Sequence, residues 1–79
     1  MDGKEYQGAT DIETVDVSGS DAVLDRVSRA VYVGTAGDLE VVTEQGSTVT
    51  LVGVSGELNI RVKEIKNANT TATNIAIYY

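Results

Sequence analysis

In Leu58-Asn59-Ile60-Arg61-Val62-Lys63 apolar and polar residues alternate strictly. Read as a strand, that run sets Leu58, Ile60 and Val62 on one face and Asn59, Arg61 and Lys63 on the other. Asp38-Leu39-Glu40-Val41 and Thr48-Val49-Thr50-Leu51 repeat the pattern. It turns Leu39, Val41, Val49 and Leu51 inward. Glycine-bearing segments separate these runs: Gly34 to Asp38, Glu44 to Ser47, and Ser55 to Glu57. Short connections of this kind are typical of hairpins. Together they predict a meander of four antiparallel strands over about 29–34, 38–44, 48–54 and 57–65.

Two further strands flank the meander. One is expected around 12–17, anchored by Ile12 and either Val15 or Val17. The other closes the chain at 73–79, after the polar loop Asn67-Ala68-Asn69-Thr70-Thr71. Residues 20–27 read as a loop with a possible helical turn, since Ser20 suits an N-cap and Val23, Leu24 and Val27 share a helical face. Val, Ile and Thr supply about a third of the residues, and β-branched side chains suit a pleated surface. The expected fold is all-β: a small antiparallel β-sandwich or barrel of about six strands. The expected layout is an acidic N-terminal arm, residues 1–11, before a single β domain, residues 12–79.

Size changes the picture. A chain of 79 residues is one domain, and at this size it buries only about 60% of its unfolded surface. Such domains usually carry a staple. With no Cys and no His, neither a disulfide nor the strongest zinc ligands are available. Oligomerisation is the remaining reinforcement. Pro, which blunts sheet edges, is also absent, so pairing of edges between subunits, the final strand included, is an expected means of assembly.

Charge is unevenly placed. Twelve acids oppose six bases, a net −6. Asp2, Glu5, Asp11, Glu13, Asp16, Asp21 and Asp25 face only Lys4 in the first 25 residues, whereas the remainder is balanced. Direct nucleic-acid binding is not expected, because affinity for phosphate comes from clustered Lys and Arg. The acidic segment reads as a solvated arm or a segment that docks on a basic protein surface. No apolar run approaches the roughly 20 residues of a membrane-spanning helix, and no signal peptide is evident.

Candidate chemistry is sparse. His and Cys, the commonest general base and a common nucleophile, are missing. Asp38 and Glu40 share a strand face, and Asp11, Glu13 and Asp16 are the nearest approach to a calcium cluster. Neither is expected to be more than a solvated acidic surface. Gly34-Thr35-Ala36-Gly37 lacks the Lys and helix of a phosphate loop. No catalytic, cofactor or metal residue is assigned. Tyr32 is expected at the rim of the core and one of Tyr78 and Tyr79 at a subunit contact. With Arg29, Arg61 and Lys63, these tyrosines make up the candidate contact residues.

Arg29-Ala30-Val31-Tyr32-Val33-Gly34-Thr35-Ala36-Gly37-Asp38-Leu39 resembles a run found in virion proteins of tailed phages and gene transfer agents. The likeness extends through Gly46-Ser47-Thr48-Val49-Thr50-Leu51, Gly53-Val54, Gly56, Leu58, Ile60-Arg61-Val62 and Thr70 to Ile75. Upstream it takes in Val17-Ser18-Gly19-Ser20-Asp21, so that residues 17–79 are covered. The sequence resembles the head-spike base and capsid decoration proteins. It departs from them at Gly19 and Ser55, where that family often carries Pro. The resemblance implies a non-enzymatic virion protein on the capsid surface, made in the bacterial cytoplasm. Copies would form a symmetric ring that binds the major capsid protein and holds a spike fibre. A spike base at a vertex implies a pentamer, and a cement protein between capsomers a trimer. A generic β-sandwich binding module is the competing reading, marked by a concave polar face.

Overall fold

The computed structural model describes residues 11–79, so the arm expected over 1–11 lies, but for Asp11, outside the described residues. Six strands form one antiparallel sheet that curls into a nearly closed barrel: β1 (Ile12–Val15), β2 (Ala22–Val23), β3 (Ala30–Thr43), β4 (Thr48–Leu58), β5 (Val62–Lys66) and β6 (Thr73–Tyr78). The fold is all-β, as expected. No helix occurs among the described residues.

β3 organises the sheet. Its 14 residues pair along one flank with β4 throughout, from Val31↔Leu58 to Val42↔Thr48. The other flank is shared. β6 takes the first half, Ala30↔Tyr78 to Thr35↔Thr73, and β5 the second, Glu40↔Lys66 to Thr43↔Val62. β1 lies outside β6, and β2 outside β5. Successive side chains on a strand alternate faces. Val31, Val33, Leu39 and Val41 therefore meet Ile65, Ile75 and Ile77 inside, all but fully buried. Each such side chain contributes about 1.5–3 kcal/mol through burial.

The expected meander is corrected in two places. The connections expected at 34–38 and 55–57 are not turns but lie within the strands of one long hairpin, so only the turn at 44–47 stands. Between Val33 and Leu39 the register slips twice, the mark of β-bulges. Gly53, with φ of +64°, is where β4 carries its extra residue, and its N–H donates to Asp38 Oδ1 at 3.0 Å. Gly37 serves a different need. A Cβ there would lie 2.6 Å from the Ala72 nitrogen, so only hydrogen fits.

That close approach lets the 67–72 link run against β3 where β5 hands over to β6. Thr71 and Ala72 N–H groups both donate to the Asp38 carbonyl, at 2.8 and 3.0 Å. Asp38 and Glu40 N–H groups donate in return to the Thr71 and Thr70 hydroxyls, at 2.9 Å each. The polar loop thus completes the ladder.

Other expectations shift. The alternation at 58–63 crosses a break: Leu58 ends β4, β5 begins at Val62, and Ile60 sits half-buried in the link between. Residues 20–27 hold no helical turn; Ala22–Val23 adds instead to β5. Val17, not Ile12, is the buried anchor near β1. The final strand is no edge, since β6 lies between β1 and β3.

Candidate assembly surfaces

β4 is the long free edge. Its outer flank pairs with nothing among the described residues, and most of its side chains are exposed. An unpaired edge presents a row of N–H and C=O groups ready for another strand. Natural edges are commonly guarded by Lys, Pro or bulges. β4 has bulges, yet residues 45–56 carry no charge and no Pro. Val52 is 76% exposed on this strand, and Val49 is exposed nearer its start.

A second surface forms where the barrel closes. Ser28 is fully buried there: its N–H donates to the Val62 carbonyl at 2.9 Å, its Oγ accepts from the Val62 N–H at 3.0 Å, and the hydroxyl reaches the Ile60 carbonyl at 3.3 Å. From the far end of β3, the Glu44 N–H donates to the Arg61 carbonyl, at 2.9 Å. Both ends of the long strand therefore meet at 60–62. This clasp gathers three of the expected contact residues. Arg29 follows Ser28, while Arg61 and Lys63 flank Val62, and all three are exposed. None forms an ion pair among the described residues. Arg26 and Lys66, by contrast, are engaged by Asp11 at 3.7 Å and by Glu64 and Asp21 at 3.3 and 3.7 Å. The result is a basic corner on an acidic protein.

The tyrosines are placed differently from one another. Tyr32 is part-exposed on the outer face, opposite Ala76 and Glu57, and lines a groove with Ile12 and Thr14. Tyr78 and Tyr79 are only 4% and 8% exposed, so both rings are spent within their own chain. The Tyr79 hydroxyl donates to Glu13 Oε1 at 2.6 Å, its backbone N–H donates to the Asp11 carbonyl at 2.8 Å, and the Arg26 guanidinium stacks 4.5 Å from its ring centre. Burial, then the bond to the Glu13 carboxylate, pushes the Tyr79 phenol up to about 12. Together these contacts pin the chain on either side of β1 and β6.

The carboxylates considered for chemistry are dispersed. Asp38 binds Gly53 and Glu40 accepts from the Asn69 amide at 3.2 Å. Asp11, Glu13 and Asp16 go separately to Arg26, to Tyr79 and to the Ser18 N–H, the last bond holding the Asp16 carboxyl below its usual range. Sequence reasoning missed Ser28 and the Thr70–Thr71 pair. A loop serine has no pattern; the threonines sat in a loop that looked merely polar.

Comparison with known proteins gives one kind of answer. No protein-family model and no curated protein matches the chain. Among solved structures, a chain from the capsid of a native GTA (gene transfer agent) particle computed with C5 symmetry superposes with a TM-score of 0.71. The two are 30% identical over 90% of this chain and 83% of that one. With that identity across most of both lengths, this protein belongs to the same family as that chain of the gene transfer agent capsid.

Proposed function

We propose that the protein is a structural component of a virion, seated on the capsid surface as the base of a head spike. A symmetric homo-oligomer binds the major capsid protein and anchors a fibre. The observation that carries this reading is the match, in fold and in 30% of residues, to a chain of a gene transfer agent capsid. The fivefold symmetry with which that capsid was computed suits a pentamer at a vertex. The Arg29, Arg61 and Lys63 corner is the surface that meets the shell, since it offers unpaired cations on a chain of net charge −6.

Electron microscopy of particles made with and without the chain tests this. The expected result is a ring of density at the fivefold vertices that disappears when the chain is omitted. Density confined to threefold positions would replace the spike base with a cement protein. Purified chain that neither adds density nor co-sediments with particles overturns the virion role. Charge reversal at the corner, Arg61→Glu with Lys63→Glu, is expected to weaken co-sedimentation, and more so at low salt.

A further inference from the structure

We infer that the outer edge of β4 joins a second copy of this chain head-to-tail, onto the outer edge of β2. The inference rests on the homo-oligomer proposed above and names its contact. Val52 and Val23 are the two most exposed large apolar side chains among the described residues, at 76% and 74%. Each stands on a free edge of the same four strands, in the order β4-β3-β5-β2. Both point to the outer face. Val23 lies opposite Glu64 and Glu64 opposite Val42, one residue from the core-facing Val41, while Val52 follows the core-side Leu51.

Direction and charge agree with this joint. All pairs in the sheet are antiparallel, so β4 and β2 run in opposite senses. Laying β4 of one copy against β2 of the next continues the alternation and forms an antiparallel ladder, with both valines on one face. Copies of a chain with net charge −6 repel each other, and the repulsion is least where charge is missing, as it is over 45–56. Two different edges meeting make a heterologous contact, the kind that closes into rings of more than two.

Native mass spectrometry and cross-linking test it. Val52→Lys and Val52→Asp are each expected to shift the full chain from oligomer to monomer with an unchanged circular dichroism spectrum. The control Ala68→Lys, at an exposed position, is expected to leave the oligomer intact. Because the chain has no Cys, mixing separately made Val52→Cys and Val23→Cys proteins is expected to give a covalent dimer of unlike copies on oxidation. Oligomers that survive both Val52 variants, or a Val52→Cys protein that links only to itself, overturn the inference. Capsid co-sedimentation separates the two readings. A monomeric Val52 variant is expected to bind particles about a hundredfold or more weaker through lost avidity. A wild-type monomer that still binds particles sinks the joint but not the virion role. An oligomer that joins through these edges yet ignores particles does the reverse.

Discussion

Along one flank of β3 lie β5 and β6, sealed by the Thr70–Thr71 link and buried or half-buried at most positions; along the other lies β4, mostly exposed, with its far side open. Both flanks are antiparallel ladders, so hydrogen bonding to β3 does not distinguish them. What does is where the next layer comes from. On the β5 and β6 side the chain supplies it, folding β1 and β2 beyond. On the β4 side no described residue does. A small barrel that extends one flank of its central strand by two further strands and leaves the other bare keeps most of its folding contacts away from the long β4 edge proposed for assembly.

The largest break in that contrast is expected from Ile77→Asp. It places an unpaired carboxylate at a fully buried β6 position, which costs several kcal/mol, and loss of the β-sheet dichroism signal is the readout. Leu39→Ala should cost about 2–5 kcal/mol by denaturant unfolding, as for other large-to-small core changes. Its partner Leu51 is only part-buried, so Leu51→Ala should fall below that range; equal losses would mean the two flanks are equally packed. Ser28→Ala strands the buried Val62 N–H and should cost about 1–3 kcal/mol. Raising pH tests the far corner. Tyr79 ionises near 10 when unfolded and near 12 when folded. Its contribution is whole below pH 10 and is lost as pH climbs to 12, because the unfolded chain releases the proton first. Tyr79→Phe should flatten that decline in thermal melts. The smallest effect belongs to Val52→Lys, expected to move the stability of the isolated chain by no more than about 0.5 kcal/mol.

The inward residues of β3, at Leu39 and Val41, could be read directly from alternation, because burial on one face is what alternation encodes. Glycines could not be sorted that way. A glycine that turns a hairpin, one that carries a bulge, such as Gly53, and one that admits a neighbouring backbone, such as Gly37, all look alike until the partner strand is known. Leu58, Ile60 and Val62 show the opposite hazard, a regular pattern that continues across a strand break. Of the six candidate contacts, Arg29, Arg61 and Lys63 come together only because buried Ser28 draws distant segments to one corner. Tyr78 and Tyr79 are covered by their own chain because β6 lies between β1 and β3, a placement that no local signal carries.

That placement of β6 bears on how the molecule is made. β6 follows every other described strand in chain order, yet it pairs with β1, the first of them. While the chain is still on the ribosome, the β3–β4 hairpin can form early, but Val31 and Val33 stay uncovered until β6 emerges. Pairing so distant in sequence is slow. For that interval the nascent protein is a sticky half-shell, best produced at modest concentration with its final strand unencumbered.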